Sequence, residues 1–333
     1  MMTATSYTTA VMAIMASFSI IILTSCSNSH TEIIQITGSN ELTSITQALS
    51  DEYYIATEGR IQTSVTSSNA DEAFKDLCLG RIHVAASSRP ITVNEITQCS
   101  DSSIKVVEIP IASVPTVVVT HSMNKQYPKC MSNEEMKDLW NGTSDLGLTL
   151  YRPENNSDLS KYLDAQFGSN MENNSEELNN TLETIVVDLT NDTGGIGYLD
   201  YVTYSLVEDY LNPIGLQSST EACSIPTPSK INKGKYDVLN RTLFLYFRHD
   251  LLKKNYLSGF AEMTINESSI NIISNLGYNT LDSTVYAENR ILLAERTAGS
   301  RYTCLLFTSD AADEGLGVDL GGRRIMNKNG GGG

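Results

Sequence analysis

Four short segments pair small hydroxyl or amide side chains with the expected start of a helix: Gly38-Ser39-Asn40, Ser67-Ser68-Asn69, Ala86-Ser87-Ser88-Arg89-Pro90 and Asn155-Asn156-Ser157. At a helix start the first backbone N–H groups have no carbonyl partner within the helix, and the helix dipole is positive. A hydroxyl beside such amides can hold an anion with no covalent chemistry at all. Taken singly, each turn reads first as a plain N-cap worth about 1 kcal/mol to its helix. Catalysis has no comparable support: the chain has no G-x-S-x-G, no H-E-x-x-H, no P-loop and no G-x-G-x-x-G opening a helix after a strand. No enzyme activity is expected.

The elements that would carry these turns follow an α/β order, in which short apolar runs alternate with amphipathic stretches. Ile33–Ile36, Gln62–Thr66 and Ile82–Ala86 read as strands, with Leu42–Tyr54 and Ala73–Leu79 as the helices between them. Val106–Pro110 and Thr116–Thr120 read as two successive strands with no helix between, the pattern of a crossing between domains. Glu134–Trp140 then reads as a helix, Leu148–Tyr151 as a strand and Ser157–Phe167 as a helix. Beyond a polar stretch from Asn173, Glu183–Asp188 reads as a strand. Arg241–Phe247 is a strand that carries the chain back, and helices over Leu251–Met263 and Ser268–Leu276 complete the fold.

Composition narrows the function classes. The 333 residues carry 23 Lys plus Arg against 39 Asp plus Glu, a formal charge of −16, with no basic cluster to neutralise phosphates, so nucleic acid is not an expected partner. The apolar run from Val11 to Leu23 is too short to span a bilayer and suits a signal peptide. It ends in Leu23-Thr24-Ser25-Cys26, similar to the lipobox of bacterial lipoproteins, so residues 1–26 are expected to be a leader with Cys26 as the lipidated residue. An ordinary cleaved signal sequence is the alternative, because no Lys or Arg precedes Arg60. Cys78, Cys99, Cys130 and Cys223 remain in the exported part as disulfide candidates. Three pairings fit, and Cys78–Cys99 is the natural local one. These spacings match no zinc site, and no metal is expected. Thr297–Gly333 holds 9 of the 22 glycines, includes a stretch that resembles translated sequencing adaptor, and ends in four glycines. It is expected to be a non-native tail.

Six blocks carry a resemblance from about Glu32 to Leu281: Ile36–Asn40 with Ile45–Leu49, Ile82–Ile91, Val107–Ala112 before Thr116–Val119, Cys130–Trp140, Gly195–Leu199 and Leu243–Tyr246. In this order they resemble the phosphate-binding proteins of bacterial phosphate ABC importers. The resemblance implies an α/β protein of the type II periplasmic-binding-protein fold, two α/β domains with a ligand cleft between them. Domain I would comprise residues 30–112 with 245–296, and domain II residues 113–244, with crossings near Ile111–Thr116 and Lys235–Leu243. It further implies inorganic phosphate as ligand, an ABC importer permease as partner, a monomer, no cofactor, and a place in the periplasm or on the outer face of the cell membrane, held there only by the lipid anchor. The matching ligand-binding positions are Ser39, Asn40, Ser68, Asn69, Ser88, Arg89, Arg152 and Ser157. An arginine suits the role because its planar fork donates two hydrogen bonds to one oxyanion, although Arg89 beside Pro90 could equally be a strut or a surface ion pair. The binding loops also depart from the family: Glu41 stands for Thr, Ala70-Asp71-Glu72 for Thr-Gly-Gly, and Asp158-Leu159 for Gly-Thr. Carboxylates beside a bound dianion repel it. Another ligand on the same fold, or a surface scaffold that has lost binding, are the alternatives.

Overall fold

A computed structural model describes residues 32–168, 181–218, 222–232, 236 and 238–303; the expected leader with Cys26, residues 173–180 of the polar stretch and the tail beyond residue 303 lie outside them. In chain order the first unit contains β1 (Glu32–Ser39), α1 (Thr43–Ala56), β2 (Ile61–Ser68), α2 (Ala70–Cys78), β3 (Val84–Ser87) and α3 (Val93–Asp101). β4 (Val106–His121) leads into β5 (Cys130–Met131), α4 (Asn133–Trp140), β6 (Thr149–Tyr151), α5 (Asp158–Phe167), α6 (Leu182–Asn191), β7 (Gly195–Asp200), α7 (Tyr201–Ser205), β8 (Leu211–Pro213), β9 (Gly215–Leu216) and α8 (Pro228–Asn232). β10 (Asn240–Arg248) returns to the first unit, which α9 (Asn255–Met263), α10 (Glu267–Asn275) and α11 (Ser283–Glu295) complete.

The strands form a sheet in the order β2-β1-β3-β10-β4-β7-β6, with β8 also on β4. β1 lies parallel between β2 and β3, so the ends of all three meet at one edge. Ile45 and Leu49 of α1 pack with Ile34, Ile36 and Val84 on one face of this part of the sheet. On the other face Ala70, Phe74 and Leu77 of α2 pack with Ala85 and Tyr246. The second unit has its own core around Trp140, Leu163, Ile196 and Tyr198. Val238 and Leu239 belong to that core, whereas Leu243 belongs to the first, which places the return crossing between them.

The outward crossing differs from the expected pair of strands: Val106–His121 is one continuous 16-residue strand. Its first part pairs with β10, and Thr116–Thr120 pairs with β7. Pro110 is accommodated by a bulge, since Leu243 faces Ala112 while Phe244 faces Pro110 and Ile111 is left over. Side chains of α11 take up the spare carbonyls: Tyr286 donates to Ile111 O and Asn289 to Pro110 O.

Two further expectations fail. Glu183–Asp188 is not a strand but lies within helix α6, which Thr181 caps by accepting from Thr184 N–H. Helical spacing puts Ile185 and Leu189 on one buried face and leaves Val187 57% exposed, whereas a strand would have put Ile185 and Val187 on the same side. The tail boundary at Thr297 is also too early. Ser300 Oγ and Arg301 N–H donate to the buried carboxylate of Glu108, Thr303 donates to Ile91 O, and Tyr302 packs edge-on against Phe244. A carboxylate buried at Glu108 requires such donors, and Tyr246 OH supplies another. The cysteines pair as Cys78–Cys99 in the first unit and Cys130–Cys223 in the second.

Candidate functional site

The parallel strands β1 and β2 end at Ser39 and Ser68, and β3 is followed directly by Ser88, so all three serines arrive at the same sheet edge, facing the second unit. This is where open α/β sheets bind ligands. A cleft of about 730 Å³ separates the units there. Beneath its lining the buried Ser39 hydroxyl accepts from Ser88 N–H at 3.2 Å. It donates to a carboxylate oxygen of Asp158, which the second unit contributes from the first residue of α5. The same carboxylate accepts from Ala70 N–H, the first amide of α2, at 3.0 Å. A hydroxyl and a helix-start amide of one unit thus hold an anionic group of the other. Burial, and then the nearby charge of Glu41, push the Asp158 carboxyl up to about 6, against the opposing pull of Ser39, Arg89 and the Ala70 amide.

Behind this cradle lies an ion pair absent from the sequence-derived set. Arg241, at the head of β10, donates to Glu41 Oε1 at 2.8 Å, and the two side chains are 1% and 6% exposed. The same Nη1 lies 3.5 Å from Ser88 Oγ. Nε and Nη2 of Arg241 are buried without a hydrogen-bond partner. Burial alone would lower the guanidinium pKa, but the Glu41 carboxylate more than reverses this and keeps it raised and charged.

The expected site residues divide into three groups. Ser39 and Ser88 form the cradle. Asn40, Ser68, Asn69 and Ser157 line the cleft above it, where Asn40 accepts from Ser67 Oγ, Ser68 donates to Glu72, Asn69 caps α2 and Ser157 caps α5. The two arginines do not join them. Arg89 makes a two-pronged contact with Glu95, at 2.6 and 2.9 Å, and a third bond to Asp71 at 2.6 Å, over the ring of Phe74. Its fork is engaged by the carboxylate that also completes the capping box of α3. Arg152 stacks 3.8 Å from Trp140 and donates to the Trp140 carbonyl, which fixes it in the interior of the second unit. Asp158, Glu41 and Arg241 surround the cradle and are not among the expected ligand-binding positions. In the sequence Asp158 and Glu41 read only as departures in binding loops, and Arg241 goes unread, its one signal being a charge that opens an otherwise apolar strand. Glu72, Glu154 and Glu183 add further carboxylates to the cleft lining. Among the described residues no group of His, Cys, Asp and Glu is arranged to hold a metal ion, and no helix is long and apolar enough to cross a membrane.

Comparison with known proteins gives a consistent result. The chain is 25% identical over 297 residues to Protein SphX of Synechocystis sp., covering 84% of this chain and 87% of that one. It is 25% identical over 193 residues to the Phosphate-binding protein PstS of Staphylococcus haemolyticus, covering 55% and 60%. Among solved structures, one described as a possible phosphate binding protein from Planctomyces limnophilus superposes with a TM-score of 0.60 at 23% identity, over 80% of this chain and 98% of that one. The family model described as the PBP superfamily domain matches residues 24–267, which include the second unit, both crossings and the first unit up to the start of α10. With two α/β units joined by β4 and β10 around a cleft at the strand ends, the chain belongs to the PBP superfamily and has the type II periplasmic-binding-protein fold.

Proposed function

We propose that this chain is an extracytoplasmic solute-binding protein that captures inorganic phosphate and delivers it to the permease of an ABC importer. The observation that carries the reading is the cradle itself: Ser39 Oγ and Ala70 N–H already hold an anionic group at the interface of the two units. The relative named Phosphate-binding protein PstS supports phosphate as the anion. On this reading Ser39, the Ser88 amide and the Ala70 amide form the floor of the site, with Asn40, Ser68, Asn69 and Ser157 at its mouth. No bond is made or broken. Contacts present only in the closed form shift the population towards closure, and the closed form docks on the permease. Residues 1–26 would direct export, and a lipid on Cys26 would hold the protein as a monomer at the outer face of the membrane or in the periplasm. Isothermal titration of ligand-stripped protein with phosphate, repeated with sulfate, tests the reading. Micromolar or tighter binding of phosphate is expected, and no heat with phosphate overturns it. A second reading, capture of a neutral or cationic solute, is favoured by the carboxylates of Glu41, Glu72, Glu154 and Glu183 along the cleft, and it predicts no phosphate signal.

A further inference from the structure

We propose that Asp158 is an internal ligand: its carboxylate, carried by the second unit, occupies the oxyanion cradle of the first and holds the cleft closed until an external oxyanion takes its place. The identity of that external anion rests on the phosphate-binding reading, but the closure does not. An ionised carboxylate is an acceptor-only group, and here its oxygens take a hydroxyl donor and a helix-start amide, the two kinds of donor that hold a bound oxyanion. Asp158 is only 5% exposed, so the contact is made inside the closed interface and not at its rim. The Ser39 hydroxyl also accepts from Ser88 N–H, and its one proton is given to the acceptor-only carboxylate across the cleft.

Two features make this an exchangeable contact. Glu41 lies close enough to disfavour the ionised carboxylate where it sits. The fully buried Arg241, next to Ser88, keeps two donor nitrogens, Nε and Nη2, that Asp158 leaves unused and that an anion with more oxygens could engage. The second closing contact, Lys161 with Asp71 at 2.6 Å, is half-exposed and does not touch the cradle. When the competent state is occupied only part of the time, the observed dissociation constant rises by the inverse of that fraction.

The test compares the parent protein with Asp158→Ala and, as a second variant acting from the other unit, Ser39→Ala. Small-angle scattering of ligand-free protein reads closure, and phosphate titration reads exchange. The parent is expected to scatter as the closed form without ligand, and both variants are expected to have a larger radius of gyration. Asp158→Ala is expected to bind phosphate about tenfold more tightly than the parent, the gain for a latch closed about nine-tenths of the time. If the variants open but neither they nor the parent bind phosphate, the latch stands and the phosphate reading fails. Unchanged ligand-free scattering in both variants overturns the latch. Weaker phosphate binding by Asp158→Ala also overturns it, because it would make the carboxylate a ligand contact and not a competitor.

Discussion

The two walls of the cleft contribute opposite chemistry. The first unit supplies donors: the Ser39 hydroxyl, the Ser88 and Ala70 amides and, behind them, Arg241. The second unit reaches the same point with an acceptor, Asp158, and its one arginine near the site, Arg152, is laid against Trp140. A cleft with donors on both walls closes only when a ligand supplies the acceptors. Here one wall satisfies the other, which makes closure partly a property of the chain itself.

The largest effect should come from breaking the donor wall. Arg241→Met leaves Glu41 as a buried carboxylate without its partner, and loss of one member of a buried ion pair costs about 3–5 kcal/mol. Urea unfolding of the variant should show a midpoint lowered by that free energy, and the double variant Glu41→Gln with Arg241→Met should recover most of it. A loss below about 1 kcal/mol in Arg241→Met would mean that the pair is solvated.

The acceptor wall is tested by pH. Asp158 has an ordinary carboxyl pKa of 3.8 and is pushed up to about 6 in the closed structure. Between these values the folded state binds more protons than the unfolded one, so this group's contribution to stability is present at low pH and is lost as pH rises to about 6. Roughly two pKa units correspond to about 3 kcal/mol. The groups facing the carboxylate are Glu41 and Ser39 of the first unit, the Ala70 amide, and Arg89 at longer range. Subtracting the pH profile of Asp158→Asn from that of the parent isolates this contribution. The difference should move against the parent from pH 4 to 6 and stay flat above, and a flat difference throughout would place Asp158 in solvent.

Much of this contrast could be read from the sequence on the donor side and little on the acceptor side, for physical reasons. Ser39 and Ser88 follow strands whose apolar pattern is unambiguous, so their position at the sheet edge follows from topology. The role of an arginine depends on its partner, and partners of Arg89 and Arg152 come from local packing: Glu95 is the capping-box residue of α3, and Trp140 ends α4. Arg241 was hidden because its counterion, Glu41, is 200 residues away in the chain. The same holds for the fold. Alternating strands and helices were legible, whereas β4 read as two strands because the bulge that admits Pro110 depends on pairing with β10. Helix α6 read as a strand because its Ile-Val-Val run suits either state until burial selects the i, i+4 face.

Each unit also carries one disulfide, which sharpens the comparison on the scale of whole domains. Cys78–Cys99 closes a separation of 21 residues and Cys130–Cys223 one of 93. If bridges act by restricting the unfolded chain, the stabilisation grows with the logarithm of loop length, and the longer loop gains about 1.3 kcal/mol over the shorter. Replacing Cys130 and Cys223 by Ser should therefore lower stability by about that much more than replacing Cys78 and Cys99. Equal losses would point to packing at the cysteines in place of chain entropy.

The smallest effect is expected at the rim. Lys161 of α5 meets Asp71 of α2 at 2.6 Å across the cleft, with side chains 34% and 54% exposed. Hydrogen bonds to Lys161 and Arg89 outweigh burial and hold the Asp71 carboxyl below its ordinary value. A pair so exposed is screened by salt and is worth at most about 1 kcal/mol. Lys161→Ala should shift the unfolding midpoint by no more than that, and the shift should shrink in 0.5 M salt. It bears on the two walls because its polarity is reversed, a cation on the second wall and an anion on the first. If Lys161→Ala opened the ligand-free protein as widely as Asp158→Ala, closure would be held at the rim and the cradle contact would only follow it.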